Sequence, residues 1–128
     1  MFGLFQLFGR SRELKAFDHA LREAGLHPGT VPEAVKIAAL RLLKQESSAG
    51  AGPSEADYNE AAQLLGYCML GHDQFIASNG IGAAERAESR LEAAIAAGDS
   101  LDAKLVLLAL HSGVIVSEVA DRFDVETG

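Results

Sequence analysis

The chain has one cysteine, three prolines and no tryptophan in 128 residues. A single cysteine, Cys68, cannot form an intrachain disulfide and cannot supply the thiolates of a cysteine-based zinc site. Scarce proline together with abundant alanine favours helices over strands. No apolar run reaches the roughly 18 residues that a membrane-spanning helix needs. The composition therefore predicts a folded helical protein without disulfides or membrane spans.

Motifs that carry catalysis or ligand binding are also missing. The stretch Gly80-Ile81-Gly82 precedes a helix, but it lacks the spacing and the preceding strand of a phosphate-binding loop. Neither a Gly-x-Ser-x-Gly motif nor a calcium loop with alternating acidic residues occurs. We interpret Glu85, Glu88 and Glu92 as one solvated helix face, because no Glu-x-x-His motif accompanies them. The sequence thus predicts neither an enzyme nor a cofactor.

Charge is distributed unevenly along the chain. Residues 1–44 carry seven Lys and Arg against four Asp and Glu, whereas residues 45–128 carry four against fourteen. The acidic part would repel phosphate backbones, so we do not expect a nucleic-acid partner. A basic N-terminal part joined to an acidic remainder indicates docking through the N-terminal part. The alternative is that both parts are ordinary solvated surfaces, which would give the same charge distribution.

The first eight residues hold three of the six phenylalanines. On a helical wheel most apolar side chains of this segment share one face, and basic residues follow directly after it. We refer to residues 1–9 as the leader. An apolar face with basic flanks predicts docking on a protein partner, a second copy of the chain or a membrane surface, with folding back onto the body as the alternative. The predicted docking residues are Phe2, Leu4, Phe5, Phe8, Arg10 and Arg12.

The leader does not have the order of a secretory signal. Its basic residues follow the apolar stretch, whereas a signal peptide has them in front, and no cleavage pattern is evident. We therefore expect a cytoplasmic protein. Peripheral attachment at the inner membrane surface is a second expectation.

Residues 10–128 predict a single all-α domain. Apolar residues recur with the helical period, and Gly25, Gly98 and Gly113 follow predicted helices as stop signals. Thr30 and Glu33 have the spacing of a capping box, which predicts a helix over residues 31–45. Its apolar residues, Ile37 among them, cover much of its circumference, which predicts deep burial. Residues 47–53 predict a flexible loop.

The later helices predict the centre of the bundle. Ser54 opens a third helix, and an Ala-rich helix over residues 81–97 has Leu91 and Ile95 as its large apolar contacts. Residues 101–111 are apolar on all sides, which is typical of a central helix. Residues 114–116 are β-prone, but one strand alone cannot form a sheet. We expect a bundle of about five to seven helices with this central helix near residues 101–111.

Residues 116–125, with the sequence VSEVADRFDV, resemble the first helix and turn of a helix-turn-helix DNA-binding unit. In such units a second helix follows and enters the major groove. Here three residues follow Val125, and the segment is acidic. The resemblance covers about ten residues, and we do not expect DNA binding from it.

A few polar residues lie near the predicted core. Cys68 and His72 are four residues apart, a spacing that on an unbroken helix pairs a thiolate with an imidazole for metal binding or catalysis. Gly71 lies between them, and Cys68 falls on an apolar stripe, where cysteine behaves as a small hydrophobe. With Tyr67 and His111 they give the alternative function, a small-ligand or metal-binding bundle. The first prediction is a non-catalytic interaction protein that docks through the leader.

Overall fold

The computed structural model describes residues 12–46 and 52–123. In these ranges the chain forms seven α-helices, one 3-10 turn and no strand, which confirms the predicted all-α bundle. No helix within them is both long enough and apolar enough to cross a bilayer. The elements are α1 (Arg12–Glu23), the 3-10 turn (Pro28–Thr30), α2 (Glu33–Glu46), α3 (Glu55–Leu70), α4 (His72–Asn79), α5 (Ile81–Ala97), α6 (Leu101–His111) and α7 (Ser117–Arg122).

α1 ends in the glycine motif that the sequence predicts. Gly25 has φ +86°, and its N–H donates to the Arg22 carbonyl at 3.0 Å. The Leu26 N–H donates to the Leu21 carbonyl at 2.9 Å. A left-handed residue here favours glycine, because a Cβ would be strained. The motif turns Leu26 into the core, where 5% of it is exposed.

α2 begins later than predicted, at Glu33 and directly after Pro32. Thr30 ends the 3-10 turn, and its hydroxyl donates to the His27 carbonyl at 2.7 Å. The predicted capping box of Thr30 and Glu33 is therefore wrong. The physical reason is that His27 caps the preceding turn, since its Nδ1 accepts from the Gly29 N–H at 2.9 Å.

A buried lysine joins α1 to α2. Lys36 is 4% exposed, and its Nζ lies 3.1 Å from Asp18 Oδ1, 3.3 Å from the Pro28 carbonyl and 3.3 Å from Glu33 Oε1. These oxygens compensate the lost hydration of the ammonium group. The deep burial predicted for α2 is wrong at Ile37, which is 40% exposed.

α3 is the helix at the centre of the bundle. It contacts α1, α2, α4, α5 and α6, whereas α6, which the sequence predicts as central, contacts α2, α3 and α5. α6 also leaves Leu107 44% exposed. α3 can be surrounded because it has small residues at close approaches: a Cβ built at Gly66 would lie 3.5 Å from both Ala24 Cβ and Phe75 Cε1. The buried residues of α3 are Tyr58, Ala61, Ala62, Leu64, Leu65, Gly66, Tyr67 and Cys68.

Side chains cap the starts of α3 and α6. Ser54 N donates to Asp57 Oδ2 at 2.8 Å, and Asp57 N donates to Ser54 Oγ at 3.2 Å, which is a reciprocal capping box. At the start of α6, Ser100 Oγ accepts from the Ala103 N–H at 3.1 Å. Both helix starts agree with the sequence prediction.

α5 packs through small side chains. Its buried residues are Ala83, Ala84, Ala87, Leu91 and Ala94. Ile95 is 46% exposed, so the prediction of Ile95 as a core contact is wrong. The alanine-lined face lets α5 approach α3, α4 and α6, and Ile95 lies outside that face.

α7 follows an extended segment, residues 114–116. The Val116 N–H donates to the Cys68 carbonyl at 2.8 Å, so this segment contacts the end of α3 and forms no sheet. Val116 is the residue before the helix, and Ser117 is its first residue.

Candidate functional site

The predicted docking site lies mostly outside the described residues. That holds for Phe2, Leu4, Phe5, Phe8 and Arg10, so docking through the leader stays a prediction. Arg12 is the first residue of α1 and is exposed. Next to it, Glu13 Oε1 lies 2.8 Å from Lys44 Nζ, which fixes the start of α1 beside the last turn of α2.

The three residues of the alternative function have different environments. Cys68 is fully buried, and burial raises the pKa of its thiol to about 12, which disfavours the thiolate that metals and nucleophilic catalysis need. His72 follows the helix break at Gly71, and His111 is exposed at the end of α6. In the part of the chain that the structure describes, no group of three His, Cys, Asp or Glu side chains could hold a metal ion.

His72 belongs to a polar network that joins α3, α4, α5 and α7. Its Nδ1 lies 3.0 Å from the Tyr67 hydroxyl and 3.3 Å from Glu88 Oε1. The other oxygen of Glu88 accepts from Arg122 Nη2 at 3.2 Å. The backbone N–H of His72 donates to Glu118 Oε1 at 2.9 Å. We call these five residues the His72 network.

Tyr67 is the buried member of the His72 network. Its ring contacts Phe75 edge to face with centroids 5.4 Å apart, and it contacts Phe123 in the same way at 6.3 Å. Burial, with a smaller contribution from the Glu88 carboxylate and an opposing one from Arg122, raises the pKa of Tyr67 to about 12. The phenol therefore stays protonated at neutral pH and serves as a hydrogen-bonding group.

The chemistry open to the His72 network is proton sharing and ion pairing. A protonated His72 Nδ1 can donate to the Glu88 carboxylate, whereas a bare Nδ1 can accept from the Tyr67 hydroxyl. Arg122 balances the charge of Glu88 from the other side. The geometry therefore favours a fixed imidazole that holds α4 against α5.

α7 closes the break between α3 and α4. Gly71, the residue before α4, has no side chain that could cap the helix, and Glu118 places a carboxylate on the first N–H of α4 instead. A negative charge is favoured at this position by the helix dipole. Together with the bond from Val116 to the Cys68 carbonyl, this contact makes α7 a clasp across the break.

Two open grooves run along the exposed side of α3. One has a volume of about 330 Å³ and is lined by Asn59, Glu60, Gln63, Arg86, Ala87 and Arg90. The other has a volume of about 250 Å³ and is lined by His19, Ala20, Glu23, Glu55, Asn59 and Gln63. Arg90 is already bound: its Nε and Nη2 donate to Asp102 at 3.0 and 2.9 Å, and its Nη1 donates to the Glu60 carbonyl at 2.8 Å.

Comparison with known proteins finds no matching family, no matching curated protein and no matching solved structure. The function has to be argued from the residues themselves.

Sequence reasoning missed three members of the His72 network, namely Glu88, Glu118 and Arg122. It interpreted Glu88 as solvated, yet the side chain is 21% exposed, while Glu85 is exposed as predicted. The available signal was the helix break at Gly71, which predicts that α4 folds back on its neighbours. The identity of those neighbours is not encoded near Gly71.

Proposed function

We propose that this chain is a non-catalytic interaction protein that docks through its leader onto a protein partner or a second copy of itself, with peripheral membrane contact as a second form of the same docking. The observation that supports the proposal is that α1, which begins at Arg12, packs on α2 and α3 and forms the ion pair of Glu13 with Lys44, 2.8 Å long. The leader is therefore followed in sequence by a rigid base. The contact residues of this proposal are Phe2, Leu4, Phe5, Phe8, Arg10 and Arg12.

The bundle supplies the rigid base. Lys36 and Asp18 hold α1 against α2, and α1 also packs on α3 at the centre. Movement of the first helix would therefore disturb the core.

The ligand-binding alternative has no observation in its favour. Cys68 lies in the core, His72 is held by Tyr67 and Glu88, and His111 is on the surface. A ligand site would need these groups to converge on one pocket.

Removal of the leader tests the proposal. We expect light scattering to give a concentration-dependent mass for the full chain and a monomer mass for a chain without residues 1–9, with equal helix content by circular dichroism. Ile81→Ser is the matched control, because it changes an apolar residue that is 66% exposed on α5. It should behave as the full chain.

Binding to vesicles tests the form of the proposal in which the leader docks on a membrane surface. Flotation on phosphatidylcholine vesicles should be lowered by removal of residues 1–9 and left unchanged by Ile81→Ser. If the full and shortened chains have the same monomer mass and equal flotation, docking through the leader is contradicted.

A further inference from the structure

Four cations of α1 and α2 are exposed and have no acidic partner among residues 12–46 and 52–123. They are Arg12, Lys15, Arg22 and Arg41. Most other cations of the described chain are paired, for example Arg90 with Asp102 and Lys104 with Glu46. Unpaired cations are thus concentrated on the first two helices.

Three of these cations lie on the two adjoining helices together with an exposed apolar residue. Lys15 and Arg22 are seven residues apart, so they lie on one face of α1 two turns from each other. Ile37 and Arg41 are four residues apart on one face of α2. We call these four residues the basic seam.

The contact between α1 and α2 shows that the two faces adjoin. Asp18 meets Lys36 in the interface at 3.1 Å, and Lys15 and Arg22 lie three and four residues from Asp18, on the same side of α1. Glu13 meets Lys44 at the other end, so the two helices run antiparallel. Ile37 is 40% exposed on this surface.

The rest of the molecule is acidic. Residues 12–46 carry six Lys and Arg against five Asp and Glu, whereas residues 52–123 carry four against eleven. A negatively charged surface would therefore repel the remaining bundle and could approach the unpaired cations of the α1–α2 side, which orients the molecule. The attraction acts within about 10 Å at moderate salt.

We propose that the basic seam is a docking face for an anionic membrane surface. Its long Lys and Arg side chains match scattered lipid headgroups, and the leader at the start of α1 would add the apolar contact, a part that rests on the proposed function. A protein interface would need a larger apolar centre than the single half-exposed Ile37 provides. Cations plus a short apolar segment give reversible attachment.

Single charge reversals on the full chain test the seam. We expect Arg22→Glu and Arg41→Glu each to lower co-sedimentation with vesicles of phosphatidylcholine and about one-third phosphatidylserine by about tenfold. Arg86→Glu is the matched control on α5, because Arg86 is exposed and lacks an acidic partner among the described residues. Its binding should change less than about twofold, since it lies on the acidic side.

Fold integrity is checked by circular dichroism and by the thermal midpoint, which all three exposed-site variants should retain. Raising the salt concentration should weaken the binding of the full chain and abolish the difference between seam variants and control. Equal loss for Arg22→Glu, Arg41→Glu and Arg86→Glu would overturn the seam, because general net charge would then explain the binding. Equal binding to vesicles with and without phosphatidylserine would overturn it too.

The same experiment separates this inference from the proposed function. If removal of residues 1–9 abolishes vesicle binding while the seam variants behave as the control, the seam is wrong and docking through the leader stands. If the seam variants lose binding and the shortened chain does not, the seam stands without the leader. A lower mass in light scattering for the seam variants, with vesicle binding unchanged, would assign the seam to a second copy and overturn the membrane proposal.

Discussion

Lys36 shows how much one side chain depends on its partners in this bundle. Its side chain is 5% exposed, and its ammonium group lies among oxygens from α1, the 3-10 turn and α2. A buried charge without such partners would cost several kcal/mol, so the arrangement makes three elements depend on one residue.

Replacing Lys36 with methionine should lower the free energy of unfolding by about 3 kcal/mol, because Asp18 loses its buried cation. Urea unfolding followed by circular dichroism measures this loss. Arg41→Met is the control on the same helix, exposed and expected to change stability by about 0.5 kcal/mol or less. Adding Asp18→Asn to Lys36→Met should recover part of the loss. A Lys36→Met protein as stable as the parent would show that the ion pair is irrelevant to stability.

Cys68 predicts a loss of stability at alkaline pH. Burial raises its pKa from 9.0 to about 12, so above pH 9 the unfolded chain releases the thiol proton while the folded chain keeps it. The stabilisation of the folded state by the protonated thiol is complete below pH 9. It is lost as the pH rises toward 12, at up to about 1.4 kcal/mol per pH unit.

The Cys68→Ala variant isolates that contribution. Its unfolding free energy should fall less steeply than that of the parent between pH 9 and 10, and Tyr67, raised from 10.0 to about 12, should steepen both curves above pH 10. Denaturant titrations at closely spaced pH values give the slopes. Identical slopes for variant and parent would mean that the thiol titrates normally in the folded protein.

At the scale of elements, the end of α1 and the end of α4 fit closely. Asn79 Nδ2 donates to the Ala24 carbonyl at 2.8 Å, and a Cβ built at Gly25 would overlap Ser78. The glycine thus has two roles: it adopts a positive φ and it leaves space for α4.

Gly25→Ala should therefore be more destabilising than the same change at Gly98. Both glycines end helices with positive φ, +86° and +81°, but a Cβ at Gly98 meets nothing within 4 Å. Backbone strain alone costs on the order of 1–3 kcal/mol, and Gly25→Ala adds the overlap with α4. Thermal unfolding of the two variants gives the comparison. A smaller loss at Gly25 than at Gly98 would contradict the close approach.

At the scale of the whole molecule, one continuous core contains residues of all seven described α-helices. α3 lies at its centre, and residues of α1, α2, α5, α6 and α7 pack around it in one cluster. We expect this part of the chain to unfold as one cooperative unit.

Leu65→Ala tests the single core, because Leu65 is 0% exposed on α3. The change should lower the free energy of unfolding by about 2–5 kcal/mol and still give one transition in which all helices melt together. Ile81→Ala, at a residue 66% exposed, should shift stability by about 0.5 kcal/mol or less. Two separate transitions for Leu65→Ala would indicate independent units.

The sequence alone determined the all-α class and most helix ends. Gly25, Gly98 and Ser54 act through backbone conformation and hydrogen bonds to residues within a few positions, so their effect can be deduced locally. The same local reasoning was wrong at Thr30, because Thr30 is the last residue of a 3-10 turn that His27 caps. The leader and its docking residues remain a prediction.

Tertiary structure decided which helix is central and which charged groups are buried. α3 lies at the centre, where the sequence predicts residues 101–111. Lys36 is buried, and Glu118 binds the backbone of His72, which is 46 positions away in the chain. A helical repeat shows that a side chain points away from an apolar stripe, but it does not show whether another helix covers that side. Such partners are fixed only when distant segments pack together, because burial and pairing of charge depend on what lies opposite.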